Sequence, residues 1–163
     1  MTEIKTADML TKRAATAADE PWMRQLFAQL RGLAPAMIAA CPALLEQQWQ
    51  LQQRVFASHY PEAHTELVLL DDAPIGLITL HEGASTIRVL EIGLEARYRG
   101  RGYGQWLLGD LTRHADRQGK ALELAVMAHN PAIRLYQRLG FRALPANADE
   151  VQLQMRREPV QRD

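Results

Sequence analysis

The sequence predicts a mixed α/β fold with a mostly antiparallel sheet, in the element order βααβββαβαββ. Three observations predict it. The runs TELVLLDD, APIGLITLHEG and STIRVLEIGLEA follow one another with only turn residues between them, and strands joined that tightly pair antiparallel. A one-sided helical stripe then separates the third run from a fourth, ALELAVM, so parallel pairing arises only where that helix crosses over. No internal repeat or low-complexity linker divides the 163 residues, a length that suits one domain with a real core. We set that single domain at 9–158, between short tails at 1–8 and 159–163.

Each element has its own signal. MLTKRAAT alternates briefly and reads as the first strand. AADEPWMRQLFAQLRGL reads as a helix, with Asp19 as N-cap, Pro21 in the first turn and Gly32 as the stop. CPALLEQQWQLQQRVFASHY reads as a second helix, with Leu44, Leu45, Trp49, Gln52 and Phe56 at helical spacing and Pro61 ending it. DDAP makes the hairpin turn between the first two apolar runs. GYGQWLLGDLTRHADRQGK carries Leu107, Leu108, Leu111 and Ala115 on one side and stops at Gly119. After ALELAVM, NPAIRLYQRLG is a short helix with Asn130 as N-cap, Pro131 at its first position and Gly140 as C-cap. FRAL and EVQLQMRR close the sheet as a strand pair.

Composition narrows the function classes. Basic and acidic residues balance at 19 each, which argues against an extended nucleic-acid face. Cys41 is the only cysteine, so neither an internal disulfide nor a cysteine-built zinc site forms, and no metal is expected. Nothing near Cys41 would activate it as a nucleophile, and it reads as a buried, inert thiol. The N-terminal stretch lacks the apolar core of a signal peptide. No run of 18 apolar residues exists, so no membrane span is expected. Together these read as a soluble cytoplasmic protein.

The densest chemical signal is RYRGRGYGQWLL, residues 97–108, where three glycines and three arginines precede an apolar helix. A helix N-terminus offers unpaired N–H groups and partial positive charge. Glycines let a phosphate approach those N–H groups, and Arg99 and Arg101 add paired donors that fit phosphate oxygens. This loop therefore reads as a site for a phosphate, with a diphosphate the best fit. The P-loop pattern fails, because Gln105 and Trp106 stand where Lys and Ser or Thr are needed. The dinucleotide fingerprint fails at Gln105 too, and Glu123, at the distance of a ribose-binding acid, falls inside a strand.

Here the sequence resembles the GNAT N-acetyltransferases, which use acetyl-CoA. Their main signature, Arg/Gln-x-x-Gly-x-Gly/Ala, is matched by Arg99-Gly100-Arg101-Gly102-Tyr103-Gly104 after a strand and before a helix. Their second, Asn…Leu-Tyr-x-x-x-Gly-Phe, resembles NPAIRLYQRLGF. The predicted element order is also similar to the family fold, so the likeness covers nearly the whole chain. It implies that the CoA pyrophosphate lies on the amides of Arg101 to Gly104, with Arg99 and Gly100 in the same loop. It implies that pantetheine pairs like an extra strand with Ile92, Gly93 and Leu94, while the two following strands splay apart to admit the thioester. It further implies that Asn130 contacts the pantetheine region and that Tyr136 is the general acid. One departure concerns Asn130, which stands six residues before Tyr136. In the commoner spacing the Asn stands seven before, a place held here by His129.

Acetyl transfer from a thioester to an amine needs a neutral amine, a donor for the oxyanion and a proton for the departing thiolate. Tyr136, a phenol with an ordinary pKa of about 10, stays protonated at neutral pH and suits the last task. A backbone N–H near Gly93 or Leu94 suits the oxyanion. For the base, Glu91 is the first candidate, with His81 and His129 as rivals. The acceptor is shaped by residues 30–64, which hold Trp49, Phe56, His59 and Tyr60 but few acids. A polycation is therefore a poor acceptor, and a primary amine on a small molecule, amino acid or peptide is expected. Trp49 and Phe56 read as helix core, and Arg54 and Arg88 are available to hold an acceptor carboxylate. Two further readings stay open: a homodimer, and a non-catalytic acyl-CoA sensor or structural protein with this same fold.

Overall fold

The computed structural model describes residues 9–145 and 151–161. Its strands are β1 (Leu10–Ala14), β2 (His64–Leu70), β3 (Ala73–Glu82), β4 (Thr86–Leu94), β5 (Ala121–Met127), β6 (Arg142–Ala143) and β7 (Gln152–Arg157). Its helices are α1 (Glu20–Leu30), α2 (Pro35–Ala40), α3 (Pro42–His59), α4 (Tyr103–Gln118) and α5 (Ile133–Arg138). The sheet order is β1-β2-β3-β4-β5-β7-β6. Among the described residues only β4 and β5 pair in parallel, across the α4 crossover, as the spacing of the apolar runs predicts. The tail at 1–8 lies outside the described residues, as do 162–163 of the other tail.

Local chemistry explains the elements. The β2–β3 hairpin turns on Asp71 and Asp72, with φ of 48° and 68°. Its two-residue, left-handed geometry matches strand twist, and Asp tolerates it better than most side chains. Asp19 stands at the N-cap position of α1 as expected, but its side chain bonds the preceding turn and not α1. Thr16 caps a 3₁₀ turn at Ala17–Asp19, and the Asp19 carboxylate accepts the Thr16 N–H at 2.8 Å. The helix α2 was not predicted. Its LAPAMIAA segment has no polar face, and Pro35 and Pro42 start two separate helices there. Cys41 sits at that break and is exposed, which corrects the expectation of a buried thiol.

Two cores flank the sheet. The larger packs Leu107, Leu108, Leu111 and Ala115 of α4 on Ile78, Leu122 and their neighbours, so the predicted stripe is the buried one. The smaller places Leu26 of α1 against Leu67, Leu69 and Leu77 on the opposite face. Trp49 is buried beside Phe27, edge to face at 5.5 Å, whereas Phe56 is only half-buried.

Candidate active site

The site is built where β4 leaves its neighbour. The parallel ladder runs only from Thr86 opposite Ala121 to Val89 opposite Leu124. On the other edge, Thr79 faces Glu91 while Leu80 faces Val89, so Leu90 is an extra residue in β4. A bulge of this kind bends the strand and ends regular pairing. Beyond it β4 continues to Leu94 along β3, while β5 follows β7 to Met127. The sequence reading placed the splay in the two strands after the loop-preceding one. Instead the loop-preceding strand β4 itself parts from β5, because the bulge bends it.

Two adjoining cavities fill the gap, of about 770 Å³ toward the glycine loop and about 650 Å³ on the other side. Leu30, Ile92, Met127, Asn130 and Tyr136 line both. The first is also lined by Gly93, Leu94, Arg99, Gly100 and Gly104, six of the ten predicted cofactor residues when Ile92 is included and seven with Asn130. Arg101, Gly102 and Tyr103 lie in the loop but do not line it. Tyr103 turns its ring into the core, 6.3 Å from that of Tyr98.

The loop geometry follows from its residues. Gly102 has φ of 90°, a left-handed conformation that side chains rarely adopt, and it caps α4. The α4 ladder opens with the Trp106 N–H on the Gly102 carbonyl at 3.0 Å, which leaves the Gly104 amide outside it. Arg99 donates Nε to the Leu94 carbonyl at 3.1 Å, tying the loop back to the strand end. Gly93 serves a different purpose. A Cβ there would lie 2.5 Å from Leu30 Cδ2, so glycine lets α1 close over β4.

Asn130 and Tyr136 come from the second motif. The Asn130 carboxamide oxygen accepts the Ala132 N–H at 2.9 Å, which closes the turn before α5 while Asn130 lines both cavities. The helix itself starts at Ile133 with Ala132 at its N-cap, so Asn130 and Pro131 precede it rather than open it. His129 lines the loop-side cavity as well. Tyr136 is 6% exposed, with its ring 5.6 Å from Phe141. Burial raises its phenol above the ordinary value, so it stays protonated across the neutral range. Among the described residues no hydrogen bond engages its hydroxyl.

Glu91 lines the second cavity with its side chain 10% exposed. Burial holds its carboxyl above the ordinary value, and Arg31 and a hydrogen bond from Gln52 offset this only in part. Arg31 Nη2 approaches Glu91 Oε2 at 3.4 Å and also donates to Gln52 Oε1. Sequence reasoning missed both partners. Gln52 carried a signal, since it is a polar residue at a core-facing position of the α3 spacing. Arg31 carried none beyond preceding the Gly32 stop.

The remaining candidates lie elsewhere. His81 rests against Tyr60, ring centroids 5.2 Å apart, and lines neither cavity. Arg54 is exposed on α3. Arg88 is committed to Gln154 at 3.0 Å and Glu123 at 3.7 Å. Glu123 also accepts from Arg156 at 2.5 Å, a role inside the sheet rather than at a ribose. Among the described residues, no three His, Cys, Asp or Glu gather closely enough to hold a metal, and no helix is long and apolar enough to cross a membrane.

Known proteins share this architecture. The PaiA N-acetyltransferase of Thermoplasma acidophilum, solved with coenzyme A, superposes with a TM-score of 0.66 at 16% identity, over 92% of this chain and 99% of that one. The ribosomal-protein-S18-alanine N-acetyltransferase of Escherichia coli gives 0.65 at 18%, over 95% and 97%. A GNAT family acetyltransferase of Elizabethkingia anophelis with acetyl-CoA bound gives 0.60 at 18%, over 91% and 97%. At these identities the likeness shows the fold. No curated protein sequence matches the chain. The model of the acetyltransferase (GNAT) family matches residues 24–141, which carry the bulged strand, the glycine loop and Tyr136. Acetyl-CoA as co-substrate fits that family. With well over half its length matched, and with the splayed-strand site inside the matched span, this chain belongs to the GNAT acetyltransferase family.

Proposed function

We propose that the protein is an N-acetyltransferase that moves the acetyl group of acetyl-CoA directly onto a primary amine of a small molecule, amino acid or peptide. The observation that carries this reading is the position of Tyr136, whose buried side chain lines both cavities where they meet. A donor entering along the glycine loop and an acceptor entering from the other side meet at that seam. The loop-side cavity suits CoA. The open amide of Gly104 offers itself to a pyrophosphate, and beyond Val89 the second edge of β4 pairs with no described strand. That edge presents backbone groups to the amide-bearing pantetheine arm, with Ile92, Gly93 and Leu94 in line.

The bound co-substrate supplies an activated acetyl group on a thiolate leaving group. Glu91 takes a proton from the acceptor amine, and the carboxylate form it needs is favoured by Arg31 and Gln52. A backbone N–H at Gly93 or Leu94 stabilises the oxyanion. Tyr136 hydrogen-bonds the sulfur as the C–S bond breaks and passes its proton to the developing thiolate. Because the thiol's pKa of about 8.5 lies below that of the phenol, the step is drawn forward by reprotonation of the phenolate from solvent. A covalent acetyl-enzyme has no support, because among the described residues no Cys, Ser or Thr lines either cavity. The test is release of free thiol from acetyl-CoA against a panel of primary amines. Amine-dependent release with formation of the N-acetyl product is expected. Acetyl-CoA binding without release against any amine would make the protein a sensor or structural relative instead.

A further inference from the structure

The acceptor-side cavity has a simple charge pattern. Of the described residues that line it, only Arg31 and Glu91 carry charge. The others are apolar or amide side chains apart from the Tyr136 phenol, with Leu30, Leu90, Ala125 and Met127 on the walls. The two charges are adjacent, 3.4 Å apart, with the Arg31 side chain 42% exposed. Arg31 is also anchored, its guanidinium 4.9 Å from the Phe27 ring centroid. Both of its hydrogen bonds, to Gln52 and to Glu91, use Nη2. Its Nε and Nη1 make none among the described residues, and the two hydrogens of Nη1 are the donors left to take a carboxylate oxygen.

We infer that the acceptor is an α-amino acid with an apolar side chain, its amine set at Glu91 and its carboxylate on Nη1 of Arg31. The inference rests on the proposed acetyl transfer and narrows its substrate. An α-amino acid carries its two charges two bonds apart, which suits a cation and an anion in contact. A polycation would meet one carboxylate already countered by a guanidinium. A peptide N-terminus would place a neutral amide where Arg31 calls for an anion. The apolar walls take the side chain, and Glu91 disfavours an acidic one.

The test compares leucine, leucinamide, 3-methylbutylamine and spermidine as acceptors, by thiol release, in the wild type, Arg31→Gln and Arg31→Lys. Leucinamide stands for a peptide N-terminus and 3-methylbutylamine for the same side chain without a carboxylate. In the wild type, kcat/KM for leucine should exceed that of each other amine by at least about tenfold, the scale of one charge-assisted contact. Arg31→Gln should abolish the preference: KM for leucine should rise about 10–100-fold beyond any loss with 3-methylbutylamine, whose own smaller loss in kcat reports the weakened support of the Glu91 carboxylate, while KM for acetyl-CoA stays unchanged. Arg31→Lys should recover part of the loss, because it restores charge without the fork. Turnover that favours leucinamide or spermidine, or an Arg31→Gln loss equal for all acceptors, overturns the inference and leaves the transferase reading standing. Absence of turnover with every amine overturns both.

Discussion

The ion pair between Asp116 and Arg157 joins α4 to the last long strand, and its removal should be costly. Arg157 is 8% exposed in its side chain and Asp116 12%. Two bonds link them, at 2.8 and 3.1 Å, and the same carboxylate accepts the Val160 N–H at 2.9 Å. In Asp116→Ala the guanidinium stays buried without its counter-charge, a change that typically costs 3–5 kcal/mol. Arg157 would keep its Nε bond to the Leu139 carbonyl at 2.7 Å, so the lower end applies, about 3 kcal/mol. For a domain of this size each kcal/mol moves Tm by roughly 2–4 °C, which gives a fall of about 6–12 °C. Thermal unfolding followed by circular dichroism reads this directly. Replacing both partners, as in Asp116→Leu with Arg157→Met, should recover most of the loss because no unpaired charge remains. A fall below about 2 °C in Asp116→Ala, or a double variant no better than the single one, would refute the buried-pair argument.

Two further outcomes follow from the same reasoning. The Asp19 carboxyl is held well below the ordinary carboxylate range by its bonds to Arg13 and the Thr16 N–H, so its stabilisation is fully present above its unfolded pKa of about 3.9 and lost as pH falls through the lowered folded value. Asp19→Asn should therefore lower Tm at pH 7, and the gap from the wild type should narrow steadily below pH 4; a gap independent of pH would contradict the assignment. Acetyl-CoA at 100 times its Kd should stabilise the wild type by about 2.7 kcal/mol, and Gly102→Val should abolish that shift because valine is strained at φ of 90° and blocks phosphate approach. A full shift in Gly102→Val would remove the loop from the binding site.

Much of this architecture was legible in the sequence because its signals are local. The α4 stripe, the Asp71–Asp72 turn and the ALELAVM strand each follow from spacing and turn chemistry, and each stands within a residue or two of its expected place. The helix α2 was not legible, since a segment of alanine, methionine and proline has no periodicity to read. Nor was the bulge at Leu90, which depends on how β4 meets two different neighbours. The glycine loop and Tyr136 could be found because backbone geometry and a motif fix them within a few residues. Glu91 could be named alone, but its pairing with Arg31 and Gln52 could not, because the three come from elements distant in sequence, and of the two partners only the polar Gln52 within an apolar spacing gave a hint.

The central claim is that Tyr136 protonates the leaving thiolate at the seam of the two cavities, and Tyr136→Phe tests it most directly. The substitution keeps the ring packed on Phe141 and breaks no hydrogen bond among the described residues, so Tm and acetyl-CoA affinity should be unchanged. Loss of a general acid costs typically 10²–10⁴-fold, and a thiolate leaves fairly well unaided, so kcat should fall about 10²-fold. With an acyl donor of more acidic thiol the deficit should shrink, because that leaving group needs less help. Full kcat in Tyr136→Phe with normal acetyl-CoA binding would contradict the account, making the phenol a packing residue and assigning the proton to another group or to water.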